Sequence, residues 1–295
     1  MNINEIKGVI PPATTPFDKS GNIDFGAIKS QIDWLCSFNI GAIAVGGSTG
    51  EGHTLNREEY KNLISEAVNC TKQNIPIIAG VITDSTQESI LRGNLVKDMG
   101  VAALQVTPVH YLFRPDDEAM VQHFKSLADG TGLPIIIYNV IPWTYLSPQL
   151  LVRIMDEVPL VVGVKQSAGD MKLFADLMIM AKPEYQIYSA VDALLYSSYT
   201  LGAYGSIAAI LTAAPGPSVD LWDAVKNGDH NVARNLHEKL LRLWNAMPHE
   251  NLPACVKYAQ KIQGVNSGFS REPMPMPSKN VQLEIGKALL GLGIS

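Results

Sequence analysis

The chain has 295 residues, of which 46% are hydrophobic and 17% charged, so it can bury a large core. Its net charge of −5 and pI of about 5.7 argue against a nucleic acid or an anionic membrane as partner. Cys36, Cys70 and Cys255 form no CxxC pair, and Met1–Glu5 does not begin a secretion signal. No apolar run is long enough to span a membrane, so we expect a cytoplasmic protein with free thiols.

Eight short apolar runs are predicted strands, and amphipathic segments alternate with them. The strands are Gly8–Ala13, Gly41–Gly46, Pro76–Val81, Ala102–Thr107, Pro134–Tyr138, Val161–Lys165, Tyr185–Ser189 and Gly205–Ile210. The helical segments include Asp24–Phe38, Arg57–Gln73, Thr86–Met99, Asp117–Asp129 and Ser147–Glu157. This alternation predicts an α/β fold, a (β/α)8 TIM barrel over residues 1–228. A doubly wound sheet is the alternative, but no Gly-x-Gly-x-x-Gly follows the first strand.

The strand pattern stops after residue 228, and only helical segments follow. They are His230–Met247, Asn251–Gly264 and Asn280–Leu290, with Pro273–Pro277 as an extended connector before the last one. We therefore predict a C-terminal helical extension over residues 229–295, packed against the barrel.

Lys165 lies at the end of the apolar run Leu160–Ser167, which is typical of a strand buried on both faces. A lysine in such a place must be paired or neutral. Burial favours the neutral amine, and a neutral amine attacks carbonyl groups, as in Schiff-base enzymes. The alternative is a side chain that reaches into solvent, as most lysines do. The strand pattern alone leaves both interpretations open.

Other polar residues fall where strands end, and barrel active sites lie at those ends. Tyr138 ends the strand that precedes the Lys165 strand, so both side chains are predicted to project into one barrel mouth. The glycine-rich segment Gly46–Gly52 follows the second strand and leaves backbone N–H groups free beside two hydroxyls. Such a segment suits a carboxylate or phosphate, or is simply a tight turn before a helix.

Eight segments, taken in chain order, carry a family resemblance across nearly the whole sequence. They are Thr15-Pro16-Phe17, Gly47–Glu51, Val106-Thr107-Pro108, Tyr138-Asn139-Val140, Gly163–Ser167, Leu201–Ile207, Pro253–Lys257 and Arg271-Glu272-Pro273. Together they resemble the N-acetylneuraminate lyase / dihydrodipicolinate synthase family of class I aldolases. The resemblance implies a homotetramer, built as a dimer of dimers.

The resemblance also implies catalytic roles. Lys165 would form the Schiff base with the keto carbon of pyruvate or a pyruvate-derived substrate. Tyr138 would carry the proton. Tyr111, or His110 in its place, would act as the family tyrosine that crosses a subunit interface.

The remaining implied residues bind substrate. Ser48 and Thr49, with Gly47, would hold the pyruvate carboxylate through hydroxyls and backbone amides. Ile207 and Asp192 would line the site on the last two strands.

Two departures from the family pattern bear on the second substrate. The synthase branch has an arginine five residues after the catalytic tyrosine, and here that position is Trp143, which cannot make a bidentate charged contact. The sialic acid lyase branch has polar residues around the aspartate, and here Ala193 follows Asp192 and Ala208-Ala209 lie on the last strand. We therefore expect an apolar, aromatic outer pocket, although Trp143 could equally be a packing residue.

The predicted function is a pyruvate-dependent class I aldolase or lyase acting on a 2-keto acid, with no metal and no cofactor. It is not expected to be a true dihydrodipicolinate synthase because Trp143 replaces the arginine. The alternatives are 4-hydroxy-tetrahydrodipicolinate synthase and a 2-keto-3-deoxy acid dehydratase of the same family. A ligand-binding protein on the same fold is the non-enzymatic alternative.

A metal-dependent aldolase would need clustered ligands, usually histidines. The six histidines are His53, His110, His123, His230, His237 and His249, and none forms a close pair at a strand end. Three of them, His123, His230 and His237, fall on helical segments and are expected at the surface.

Overall fold

The structure is a computed structural model that describes residues 6–71 and 74–294. Eight parallel strands form one sheet in the order β1-β8-β7-β6-β5-β4-β3-β2. They are β1 (Gly8–Val9), β2 (Ile43–Val45), β3 (Ile77–Val81), β4 (Ala103–Val106), β5 (Ile135–Asn139), β6 (Val161–Gln166), β7 (Gln186–Ser189) and β8 (Gly205–Ser206). The predicted α/β barrel fold is confirmed.

The first and second strands close the barrel just beyond the end of β1. Pro12 and Ala44 form a parallel bridge, and the N–H of Ala13 donates to the carbonyl of Ala44 at 2.8 Å. The N–H of Gly41 donates to the carbonyl of Val9 at 2.9 Å. Closure leaves no unpaired strand edge, which protects a sheet from pairing with other chains.

Helices surround the sheet, and several begin at side chains that accept a backbone N–H, as good N-caps do. Asn56 and Glu59 form a capping box, in which each side chain accepts the other residue's N–H at 2.9 and 3.0 Å. The helices that follow the first six strands are α1 (Phe25–Leu35), α2 (Arg57–Thr71), α3 (Thr86–Val96), α4 (Asp117–Thr131), α5 (Pro148–Glu157) and α6 (Met171–Met180). The later ones are α7 (Leu195–Thr200), α8 (Ile210–Ala213), α9 (Pro215–Lys226), α10 (His230–Asn245), α11 (Leu252–Ile262) and α12 (Lys279–Gly291).

Alternation along the strands divides the core into two parts. The large part lies between the sheet and the helices, and a smaller part fills the barrel interior with residues such as Ile78, Ile136 and Tyr188. Because side chains alternate along a strand, Tyr138 points to the same side as Ile136. Lys165 is paired in register with Tyr138 on one side and with Tyr188 on the other. The lysine therefore also points into the barrel.

Several predicted elements end earlier in the structure. The strand predicted over Gly8–Ala13 ends at Val9, and the helix predicted over Asp24–Phe38 ends at Leu35. The strand predicted over Gly205–Ile210 stops at Ser206, and Ile210 instead begins α8 because the carboxylate of Asp192 accepts its N–H at 2.7 Å. The helix predicted over Arg57–Gln73 is observed to Thr71, and residues 72 and 73 lie outside the described residues. Met1–Glu5, where no secretion signal is predicted, also lies outside them.

The last three helices pack on one another and on the barrel helices. Helix α10 packs against α9 and α12, and α11 packs against α8 and α12. A boundary between barrel and extension at residue 228 stays a prediction, since α9 and α10 pack together across it. Within residues 6–71 and 74–294, no helix combines the length and the apolar character needed to cross a membrane.

Candidate active site

A cavity of about 540 Å³ opens at the C-terminal ends of the strands. Its walls come from the ends of β2, β5, β6 and β7, the segment after β8, and the start of α11. Its lining includes Ser48, Thr49, His53, Tyr138, Ile141, Pro142, Tyr145, Lys165, Ser167, Asp192, Ile207, Ala208, Ala209, Trp244, His249, Glu250, Leu252, Pro253 and Met274. A larger cleft of about 830 Å³ lies between Asp18–Gly21 and Phe269–Met276, and Lys165 and Tyr138 do not line it.

Lys165 and Tyr138 meet inside this cavity. Only 4% of Lys165 is exposed, and its Nζ lies 3.6 Å from the centroid of the Tyr138 ring. The interpretation of Lys165 as a side chain that reaches into solvent is therefore wrong. A buried amine beside a phenol is an arrangement suited to imine chemistry with proton transfer.

The glycine-rich segment forms a compact turn whose two hydroxyl side chains line the cavity. Gly46 has a φ of +73°, which favours glycine, and the N–H of Glu51 donates to the carbonyl of Ser48 at 3.0 Å. Gly80 on β3 allows the turn to pack closely, because a Cβ there would lie 2.6 Å from the backbone of Gly46. Ser48 and Thr49 thus face the cavity from the β2 end.

Asp192 is a buried carboxyl on the β7 side of the cavity. Its Oδ1 accepts the N–H of Ile210 at 2.7 Å. Burial raises the pKa of Asp192 to about 6, and the hydrogen bond from the N–H of Ile210 partly opposes that shift. Ile207, another predicted substrate contact, is fully buried and lines the cavity close by.

Three predicted site residues lie outside the cavity lining of the single chain. Gly47 is buried beneath the turn, and Tyr111 is 65% exposed. Trp143 is 62% exposed because its indole points outward, where Nε1 donates to the carbonyls of His110 at 2.7 Å and Tyr111 at 3.0 Å. Its neighbours Ile141 and Pro142 line the cavity instead.

Several residues that line the cavity were not predicted from the sequence. Tyr145 places its hydroxyl 3.5 Å from the carbonyl of Ser167, and burial raises its pKa, with a smaller contribution from Tyr138. Its position in the sequence, two residues after Trp143, could have indicated a place in the site. Nothing in the sequence indicated His249 or Glu250, because they lie in the C-terminal helical region, far in sequence from any predicted strand.

The histidines do not form a metal site in the part of the chain that the structure describes, where no three potential ligands cluster. His230 is exposed, as predicted, and His237 is half-buried. The surface prediction is wrong for His123, which is 4% exposed and whose Nδ1 is hydrogen-bonded to Oγ1 of Thr86 on α3.

The whole chain matches a known protein family. The model of the dihydrodipicolinate synthetase family matches residues 5–291. A 4-hydroxy-tetrahydrodipicolinate synthase from Ralstonia nicotianae is 32% identical over 295 residues, 99% of each chain. The enzyme of the same name from Bacillus subtilis is 31% identical over 281 residues, 93% of this chain and 95% of its own.

Solved structures agree with the sequence matches. A dihydrodipicolinate synthase from Acinetobacter baumannii, complexed with pyruvate, is 30% identical with a TM-score of 0.92, covering 98% of this chain and all of its own. The enzyme from Aquifex aeolicus is 27% identical with a TM-score of 0.91, covering 98% of each chain. The chain therefore belongs to the dihydrodipicolinate synthetase family and is an aldolase-type carbon–carbon lyase.

Proposed function

We propose that this chain is a Schiff-base class I aldolase that makes or breaks a bond at the methyl carbon of pyruvate. The observation that carries the proposal is the pairing of a buried amine, Lys165, with the phenol of Tyr138 in the strand-end cavity. Pyruvate as substrate is further supported by the related Acinetobacter enzyme, whose structure holds it.

In the proposed reaction, the amine of Lys165 adds to the keto carbon of pyruvate and water leaves, which gives an iminium. Loss of a proton from C3 gives an enamine, with the iminium nitrogen taking up the electron pair. The enamine carbon attacks an aldehyde, and the new alkoxide takes a proton by way of Tyr138. Water then releases the 2-keto acid product and restores the lysine. Cleavage runs through the same steps in reverse.

Ser48 and Thr49 are proposed to hold the pyruvate carboxylate. Their turn lines the cavity from the β2 end, and its hydroxyls and N–H groups are suitable donors for an anion. A fixed carboxylate would place the keto carbon toward Lys165.

The cavity walls favour an uncharged, apolar group on the aldehyde. The apolar residues that line the cavity include Ile141, Pro142, Ala208, Ala209, Leu252 and Pro253. Among the described lining residues Lys165 is the only lysine and no arginine occurs, whereas Asp192 and Glu250 are acidic. A second carboxylate would therefore find no arginine and no lysine besides Lys165 in this lining, so an aldehyde acid is disfavoured.

The second candidate is 4-hydroxy-tetrahydrodipicolinate synthase, because the related enzymes bear that name. Condensation of pyruvate with aspartate semialdehyde separates the two. We expect negligible turnover, since neither Trp143 nor any cavity residue supplies a guanidinium for the second carboxylate. Robust turnover would show that the chain is a 4-hydroxy-tetrahydrodipicolinate synthase. A dehydratase would instead release water from a 2-keto-3-deoxy acid without releasing pyruvate.

Borohydride reduction in the presence of pyruvate tests the Schiff base itself. We expect one reduced pyruvyl group per chain, located on Lys165 by peptide mapping. Lys165→Ala should abolish the adduct, and Lys182→Ala is a control because that lysine lies at the surface in an ion pair with Asp156. An adduct that persists in Lys165→Ala would show that the mechanism is wrong.

We also propose a cellular compartment and an oligomeric state for this protein. The free thiols of Cys36, Cys70 and Cys255 support a reducing, cytoplasmic compartment. A homotetramer is supported by the exposed apolar segment Tyr111–Phe113 beside the barrel mouth, whose side chains are 65–79% exposed.

A further inference from the structure

The carboxylate turn is attached to the C-terminal helices by an ion pair that the proposed reaction does not use. The Nζ of Lys257, on α11, donates to Oε1 of Glu51 at 2.6 Å, and both side chains are 0% exposed. Glu51 directly follows Ser48-Thr49-Gly50, so the pair joins the turn to a helix 206 residues further along the chain.

Each member of the pair has further fixed contacts. The second carboxylate oxygen of Glu51 accepts the N–H of Arg271 at 2.9 Å. Lys257 also donates to the carbonyl of Phe269 at 2.6 Å and lies 5.0 Å from the centroid of the Phe17 ring. Burial lowers the pKa of Lys257 to about 8, and the Glu51 carboxylate opposes that shift, so the ammonium stays charged at neutral pH.

Glu51 also has an unusual backbone conformation. Its φ is +53°, the left-handed region, where Glu51 is the only residue other than glycine within residues 6–71 and 74–294. Its N–H closes the turn on the carbonyl of Ser48 at 3.0 Å. The fixed side chain therefore holds the backbone that carries both hydroxyl groups.

Stability alone does not account for such a pair. A buried ion pair is costly to desolvate, and apolar residues of similar volume often replace one without loss of stability. Buried ionic groups can instead specify a geometry. We propose that Lys257 and Glu51 are positioning residues that set the Ser48–Thr49 turn for the pyruvate carboxylate. In that role the C-terminal helices control pyruvate affinity without contacting pyruvate. This role rests on the proposed pyruvate chemistry.

The test measures the pyruvate concentration that gives half-maximal borohydride trapping, and the yield at saturation. Lys257→Met keeps the length of the side chain and removes its charge. We expect the half-saturating concentration to rise on the order of 10- to 100-fold, since a displaced turn would lose a hydrogen bond to the charged pyruvate carboxylate. The yield at saturating pyruvate should stay near that of the wild type, because Lys165 and Tyr138 are untouched.

Two further variants make the outcome decisive. Glu51→Gln keeps the volume of the side chain and should show the same rise even if Lys257→Met does not fold. Ile154→Val is the matched control, because it removes one methylene group from a fully buried core residue of α5 and leaves Glu51 and its partners unchanged. It should lower the unfolding temperature and leave the half-saturating pyruvate concentration unchanged.

Folded Lys257→Met or Glu51→Gln protein with wild-type half-saturation would overturn the positioning role. A rise of equal size in Ile154→Val would also overturn it, because general destabilisation would then account for the effect. Absence of any adduct in the wild type would overturn the proposed function and this role with it.

Discussion

The Tyr138 phenol and the Lys165 amine face each other because two neighbouring parallel strands place them in register. Tyr138 is 6% exposed, so its ring is held by packing as well as by the strand. Phenylalanine would keep that packing and remove only the proton carrier. The two roles of the tyrosine, packing and proton transfer, can therefore be separated by one substitution.

We expect Tyr138→Phe to fold normally and to lose turnover by about 10²–10⁴, the usual effect of a lost general acid–base. Some imine should still be trapped, because Lys165 is intact. Steady-state kinetics with circular dichroism as the folding check measures this. Near-normal turnover would mean that Tyr138 only packs in the barrel.

His123 gives the stability of the protein a defined pH dependence. Its Nδ1 is paired with Thr86 Oγ1 at 2.8 Å, and its buried Nε2 has no partner among the described residues. Burial lowers the pKa of His123 to about 4 from an ordinary 6.5. Between those values the unfolded chain binds the proton and the folded chain does not. The folded state is therefore destabilised as pH falls from about 6.5 to about 4.

The loss of unfolding free energy from this residue should reach about 3 kcal/mol at pH 4. Urea unfolding at pH 7 and pH 4.5 should show a smaller difference for His123→Leu than for the wild type. Equal pH dependence in both proteins would show that His123 does not stay neutral in the fold.

At the scale of elements, the turn between β2 and α2 brings the side chains of Ser48 and Thr49 to the cavity. Thr49→Val keeps the shape of the side chain and removes a hydrogen-bond donor. A hydrogen bond to a charged group contributes about 1.5–3 kcal/mol, so pyruvate binding should weaken by about 10- to 150-fold. Pyruvate titration measures this, and unchanged affinity would place the carboxylate elsewhere. Ser126→Ala is a neutral control, because Ser126 is a half-buried residue of α4 whose hydroxyl accepts a hydrogen bond from Gln122.

Strands buried on both faces could be predicted because their sequences are apolar runs. Lys165 was conspicuous as a charged residue at the end of one such run. The end of β8 could not be predicted, because the group that accepts the first N–H of α8 is the carboxylate of Asp192, 18 residues earlier in the chain. The outward position of Trp143 was equally hidden, since its partners are carbonyls in the loop after β4. Local pattern predicts an element, whereas contacts distant in sequence decide where it ends.

At the scale of the whole molecule, the exposed apolar segment Tyr111–Phe113 bears on assembly. Leu112 and Phe113 are 72% and 79% exposed, which is unusual for adjacent large apolar residues. We expect the wild type to sediment as a tetramer and Phe113→Asp to shift it toward smaller species. Analytical ultracentrifugation measures the change, and Leu283→Asp, on an exposed part of α12, is the control. A monomeric wild type would contradict the proposed assembly.

The alternation of strands and helices in the sequence was enough to predict the barrel. It was not enough to predict that the C-terminal helices contribute residues to the site. Trp244, His249 and Leu252 line the cavity, and Lys257 is fully buried against Glu51. An amphipathic pattern shows that a helix has a buried face, and it does not show which surface covers that face.

Closure of the barrel by its first strand has a consequence for synthesis on the ribosome. β1 leaves the exit tunnel early, but its neighbour β8 follows only after about 200 residues, as does Thr212, which donates to the carbonyl of Pro12. At 5–20 residues per second that delay is roughly 10–40 s. During this time the edge of β1 that pairs with β8 stays open. Ribosome-bound chains stalled before β8 should therefore be cleaved readily by protease near β1, and resistance there would show that this strand finds another partner.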